Sequence, residues 1–322
     1  MTTTENTLMV PEREIVRSRN PNFIEANTKM VELTHLKEDC IIPVFSKDNE
    51  SIIAHQEFVE TAHECAQAIF SGQQIGVPDI RVSHVVKGRT PDAIGKPVKS
   101  LLDHEKTIYY ERMMFTIEIP SITANVNGNE LKLTLGGVRA LNQENLYSRK
   151  TFEKFKFFVG FKNLVCTNLC VSSDGSVETI RASSKSELKR SIMDVIGNYE
   201  MKEHLLTLTQ LRDFHLTEPQ FAHFLGKAKM FGHLSSKEKE DVMSFKYSDS
   251  QLNSMTRAYY EDPNFQRNQD GTIDLWQFYN LMTGANKSSY IDSFIKRSVN
   301  AYEITKSLAK SIESNTPNWF LN

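Results

Sequence analysis

The chain has 322 residues, 39% hydrophobic and 10% aromatic, enough apolar surface for one large domain or two ordinary ones to bury a core, which excludes a disordered protein. A net charge of -2 and a pI near 6.5 exclude a global electrostatic drive towards nucleic acid or anionic lipid, so such binding needs a local patch. Cys40, Cys65, Cys166 and Cys170 are too few and too irregularly spaced for a secreted disulfide scaffold, and neither a signal-like apolar stretch nor a window of roughly 20 apolar residues is present, so a cytoplasmic protein with reduced, buried thiols is expected.

Residues 1–30 are polar and aperiodic and read as a flexible arm. Val59, Ala62, Cys65, Ala66 and Ile69 then fall at helical spacing, with Gly72 as a stop. Alternation predicts strands over 80–86 and 107–119, the second ending at Pro120, which cannot donate to a central ladder. Asn127-Gly128 predicts a type I′ hairpin turn leading into Leu131, Leu133 and Leu135, because both central positions of that turn need positive φ. One strand region is expected over 155–171, and Ser173-Asp174-Gly175 turns into another over 177–181.

From there the period changes from two to 3.6. Ser184 with Glu187, Thr217 with Gln220, and Asp274 with Gln277 read as capping boxes opening helices, the last ending at Gly284, and a long helix is expected from Ser288 or Ser289. Strands followed by helices predict an α+β fold, a mostly antiparallel sheet in the first half with a helical C-terminal region. The expected organisation is the arm at 1–30, a sheet domain at 31–182 and a helical region at 183–322 packed on or beside it.

Several chemistries can be weighed. Asn268 to Ile273 matches the middle of a calcium-binding loop, but that register puts Gln266 first and Gln277 twelfth, where calcium needs an Asp and a bidentate Glu; an Asp-Gly turn before a helix is favoured. Cys166 and Cys170 have three residues between them and no second pair, which argues against zinc, and their alternation in a strand favours structural thiols. No phosphate loop, dinucleotide fingerprint, nucleophile elbow or zinc-protease motif occurs, so no cofactor, no metal and no catalytic residue are assigned. Tyr110, Glu111 and Arg112 near Glu118 suit a carboxylate-bearing groove but equally an exposed strand face.

The region that carries a functional expectation is Lys154 to Lys162. Phe155, Phe157, Val159 and Phe161 should face a core, leaving Lys154, Lys156, Phe158 and Lys162 on the opposite side. With Arg139, Arg149 and Lys150 close in sequence, residues 139–190 carry ten basic and five acidic side chains. Lysines can track phosphates and an exposed Phe can stack a base, as in single-strand binders that use sheets. The alternative is a solvated strand face whose Phe is covered by a helix.

Long runs such as RVSHVVKGRTPDAIGKPV, FVGFKNLVCTNLC and LWQFYNLMTGANKSSYIDSFIKRSVNAYE, covering most of the chain from about residue 30, resemble a family of uncharacterised proteins from gut anaerobic bacteria. That family is more distantly similar to phage- and plasmid-like proteins of unknown function that share a "VC-x-N" strand, here Val165, Cys166 and Asn168, and a helical C-terminal region, here with Trp276, Asn280, Thr283 and Arg297. The resemblance implies a mobile-element or prophage setting and supplies no catalytic residues. The expectation is a protein without catalysis of its own that binds single-stranded DNA in replication, recombination or transfer. A protein-interaction module that regulates or antagonises a host or phage protein through loops such as Gly136 to Asn145 is the alternative. An enzyme acting on nucleic acid without a visible motif is a third. No membrane partner is expected, and self-association is left open.

Overall fold

The computed structural model describes residues 22–42, 52–93, 95–144 and 152–322. In chain order the elements are β1 (Lys29–Val31), α1 (Leu33–Glu38), α2 (His55–Ile69), β2 (Asp79–Val82), β3 (Val85–Arg89), β4 (Lys106–Tyr110), β5 (Arg112–Val126), β6 (Asn129–Ala140), β7 (Glu153–Asn163), β8 (Leu169–Cys170) and β9 (Ser176–Ala182). The helical part follows as α3 (Lys185–Asn198), α4 (Met201–Gln210), β10 (His215–Leu216), α5 (Glu218–Phe231), α6 (Ser236–Glu240), α7 (Asp249–Glu261), β11 (Ile273–Asp274), α8 (Leu275–Asn286) and α9 (Ile291–Ser314). The fold is α+β.

A seven-stranded antiparallel sheet runs β1-β2-β5-β6-β7-β8, with β9 also paired to β7. Phe155, Phe157, Val159 and Phe161 lie in the larger core with Phe58 and Cys65 of α2 and Leu188 and Ile192 of α3. That core continues into the helical part through Phe224, Met255, Phe278 and Leu308, so sheet and helices share it. The other sheet face forms a second core in which Met114, Val138, Phe158 and Leu169 meet Phe23, Ile24 and the first half of α9, at Ile291, Phe294, Ile295 and Val299. Residues 22–30, expected to belong to a flexible arm, therefore include two buried side chains and the first two residues of an edge strand.

Two adjacent glycines let bulky rings cross the sheet. A Cβ on Gly136 would strike the Phe115 carbonyl and the Phe158 ring, and one on Gly137 would strike Phe58 from the other side. The Asn127-Gly128 turn adopts the expected positive φ at both positions, 53° and 82°.

Several expected boundaries are corrected. The single strand expected over 107–119 is broken at Glu111 into β4 and β5, and β5 continues past Pro120 to Val126, because a bulge between Glu118 and Thr123 takes the proline out of the ladder. The single strand expected over 155–171 is a hairpin of β7 and β8, turned by Thr167 at φ 61° and by the Asn163 side chain, whose Oδ1 accepts from Val165 N at 2.9 Å. Helix α8 passes through Gly284 to Asn286, since eleven of its twelve residues are buried and tertiary packing outweighs a glycine's poor helix propensity. The Ser184 hydroxyl accepts from Glu187 N, but the Glu187 carboxylate returns to Ser183 rather than completing a box with Ser184. The Thr217 and Asp274 boxes form as expected.

Candidate functional site

Strand β7 places Lys154, Lys156, Phe158 and Lys162 on one face, as its alternation requires, but the start of α9 and residues 22–24 cover much of that face. Phe158 has no exposed surface. Lys156 is 8% exposed and donates from Nζ to the Asp292 carbonyl in the first turn of α9, at 2.7 Å. Lys162, also 8% exposed, pairs at 2.9 Å with Glu118, which Lys132 holds from its other oxygen at 2.9 Å. Lys154 is half-buried and donates to the Gln143 carbonyl at 3.3 Å. The expected open cationic face is thus closed, because Phe158 and its aliphatic neighbours gain more from burial under a helix than from water.

Arg139 lies on the opposite face, fully buried, with its guanidinium 4.8 Å from the Phe155 ring centroid. It bonds Glu153 and the Ile53 carbonyl and approaches Glu144 at 3.4 Å. Burial raises both carboxyl pKa values despite Arg139. Arg149 and Lys150 lie outside the described residues. The structure therefore separates Arg139 from the lysines it was expected to join. The expected polar loop of Gly136 to Asn145 is corrected too: residues 136–140 are the buried end of β6, 141–143 a single 3₁₀ turn, and Asn145 lies outside the described residues. Glu118, engaged by two lysines, does not join Tyr110, Glu111 and Arg112 in a groove. Tyr110 instead hydrogen-bonds His35, and Glu111 pairs with Arg112.

Sequence reading missed a local constellation around α1. His35 Nδ1 meets Asp39 at 2.7 Å, and its Nε2 lies 2.9 Å from the Tyr110 hydroxyl and 3.8 Å from the Cys40 sulfur. The i, i+4 spacing of His35 and Asp39 was the available signal, though Tyr110 comes from a distant strand. The short contact to Nε2 belongs to the tyrosine, and burial pushes the Cys40 thiol up to about 11, so the arrangement holds α1 against β4 rather than activating a nucleophile.

Burial likewise pushes Cys65 up to about 11 and Cys166 up to about 12, and raises Cys170. All four thiols are free. At pH 8 the folded protein should therefore react with Ellman's reagent at far below the rate of an exposed thiol, and urea should release four equivalents. A rapid native equivalent, traced by mass spectrometry to Cys40, would show that His35 does activate it. Among the described residues, no group of three or more His, Cys, Asp or Glu could hold a metal ion, and no helix is long and apolar enough to cross a membrane.

A different surface is open. Strands β2 and β5 pair within the sheet, from Val82 opposite Met113 to Asp79 opposite Thr116. After a break at Ser83, whose hydroxyl accepts from Arg112 N at 3.1 Å, the chain continues as the two-stranded ribbon β3–β4, with Val85 opposite Tyr110 and Arg89 opposite Lys106. An isolated bridge from Cys40 reaches Ile108 of β4, while β3 has no second strand partner among the described residues. The ribbon and its connection expose Val85 at 46%, Val98 at 71% and Leu102 at 56%. Residues 84–110 hold five Lys and Arg against three carboxylates. Glu105 pairs with Lys96 and Asp103 with Lys106, leaving exposed Lys87 and Lys99 without an ion pair among the described residues. Tyr109 is half-buried and Tyr110 buried, so neither ring is offered as an open stacking platform.

No curated protein and no solved structure matches the chain. A family model described as a domain of unknown function, B. Theta gene description (DUF3871), matches residues 3–321, and the chain belongs to that family.

Proposed function

We propose that this protein is a non-catalytic interaction module that captures an acidic, extended segment of a partner protein along the free edge of β3, regulating or antagonising that partner in a mobile-element setting. The observation that carries the reading is the combination, among the described residues, of a strand edge without a second strand partner, exposed aliphatic side chains and lysines without an ion pair on one ribbon and its connection. An exposed edge supplies backbone donors and acceptors for an added strand, and nearby pockets or charges select its side chains. Lys87 and Lys99 favour carboxylates on that strand. Single-stranded DNA is the less favoured partner for this ribbon, since it presents cations without an open aromatic platform.

The test uses fluorescence anisotropy with a labelled peptide of alternating Glu and Val and, separately, a labelled oligothymidine. The peptide should bind, and Lys87→Glu with Lys99→Glu should weaken it roughly tenfold or more through like-charge repulsion. Tighter oligothymidine binding, lost in the same variant, would transfer the ribbon to nucleic acid. Binding of neither probe at low salt would remove the proposal.

A further inference from the structure

Two helix–loop–helix units meet in the C-terminal part. One runs from α4 to α5 and the other from α7 to α8, and β10 and β11 join their loops antiparallel, with Leu216 opposite Ile273 and His215 opposite Asp274. Each second helix opens on a reciprocal cap, Thr217 with Gln220 and Asp274 with Gln277. In the second unit a twelve-position calcium-loop register starting at Gln266 places Asn268 third, Asp270 fifth, Gly271 sixth and Asp274 ninth. Gly271 has the positive φ, 83°, that the sharp turn needs, and α8 begins immediately after the ninth position. Loop and flanking helices thus follow the plan of a calcium hand.

The two positions that should carry the decisive carboxylates hold glutamines instead. Gln277, at the twelfth, accepts from Asp274 N through Oε1 at 3.0 Å and donates from Nε2 to the Gln266 carbonyl, at the first, at 3.0 Å. The Thr272 carbonyl, at the seventh, accepts from Asn268 N at 2.7 Å. Asp270 Oδ1 accepts from the Thr272 amide at 2.9 Å and from its hydroxyl at 2.7 Å. Three of the oxygens that a calcium loop turns to its ion, Asp270 Oδ1, the Thr272 carbonyl and Gln277 Oε1, are here taken by N–H and O–H donors. Glutamine can do this because its amide both donates and accepts, whereas a glutamate only accepts.

We propose that the hydrogen bond from Gln277 to Gln266 takes the place of a divalent cation, making the paired unit a metal-independent clamp. What it clamps is α8, the helix that docks the helical part onto the sheet. Trp276 Nε1 donates to Asn129 Oδ1 at 2.9 Å beside the β5–β6 turn, and Asn280 accepts from Asn163 and Asn168 at the β7–β8 turn. Phe278 meanwhile packs edge-on against Phe224 of α5, with centroids 4.9 Å apart.

The experiment is a CaCl2 titration followed by calorimetry and thermal unfolding. The wild-type protein should take up no calcium and keep its Tm unchanged up to about 10 mM CaCl2 and in EDTA, whereas Gln266→Asp with Gln277→Glu should bind one equivalent with a Kd of about 1 mM or tighter and gain Tm with calcium. Gln277→Ala should lower Tm without acquiring a calcium response, which keeps the proposal testable if the double variant does not fold. Calcium stabilisation of the wild-type protein, a double variant that is folded by circular dichroism yet ignores calcium, or a Gln277→Ala variant as stable as the parent would each overturn it.

Discussion

Phe158→Ala is expected to lower the unfolding free energy by about 3–5 kcal/mol, the range for deleting a buried aromatic side chain. The ring is fully buried between Met114, Val138 and Leu169 on the sheet side and Phe294, Ile295 and Val299 of α9. Gly136 leaves room for the ring to lie close to the sheet, so no neighbouring side chain on that strand position can swing in to fill the gap. Because the same ring seats α9, loss of packing should also loosen the helix and speed hydrogen exchange in its first turns, where Lys156 bonds the Asp292 carbonyl. Urea unfolding monitored by circular dichroism measures the first effect and exchange mass spectrometry the second. A stacking platform for DNA would behave in the opposite way, with stability kept and affinity lost. A midpoint unchanged from the parent would mean that this face is open to solvent in the folded protein.

The second large effect is acid destabilisation centred on two buried histidines. His55, 2% exposed, bonds the Tyr110 carbonyl through Nε2 at 2.8 Å, leaving Nδ1 buried without a partner among the described residues, and burial followed by the charge of Arg139 pushes the ring's pKa down to about 3. His204, 1% exposed among the rings of Phe161, Tyr199 and Tyr302, is pushed down to about 4, again chiefly by burial. Both are neutral in the folded state and protonate near 6.5 once unfolded, so the unfolded chain binds more protons below that pH. Their stabilisation is present above pH 6.5 and is lost as pH falls towards 4 for His204 and 3 for His55.

Each histidine approaches about 1.4 kcal/mol per pH unit in that window, several kcal/mol together by order of magnitude. Glu144 and Glu153 act with the opposite sign, since their raised pKa values let the folded state take up protons first as pH falls. Their contribution is present below about 4.5, the ordinary glutamate value, and is lost as pH rises through their folded values. Urea midpoints between pH 7 and 5 should therefore drop steeply, and His204→Gln should flatten that slope while lowering stability at pH 7. A His204→Gln variant whose slope between pH 7 and 5 equals the parent's would contradict neutral burial of that ring.

Local chemistry in the chain was sufficient for several of the turns, caps and helices, though not for where every strand breaks. The Asn127-Gly128 turn, the Thr217 and Asp274 caps, the helix ended by Gly72 and the parity of Phe155, Phe157, Val159 and Phe161 all depend on residues within a few positions of one another, so they were readable without tertiary information. The mixed sheet-then-helix class follows from that period change alone. Alternation also assigned Lys156, Phe158 and Lys162 correctly to one face of β7.

Whether that face met water or another element was not a local property. Residues 22–24 and α9 are separated from β7 by more than a hundred positions of chain, and only their packing decides that Phe158 is core and Lys162 an ion-pair partner rather than a phosphate contact. The same holds for Arg139, whose position on the far side of the sheet follows from register, and for the β3–β4 ribbon, which 80–86 concealed by reading as one strand. Hydrophobic periodicity reports which side chains share a side, and burial depends on what the rest of the chain places over it.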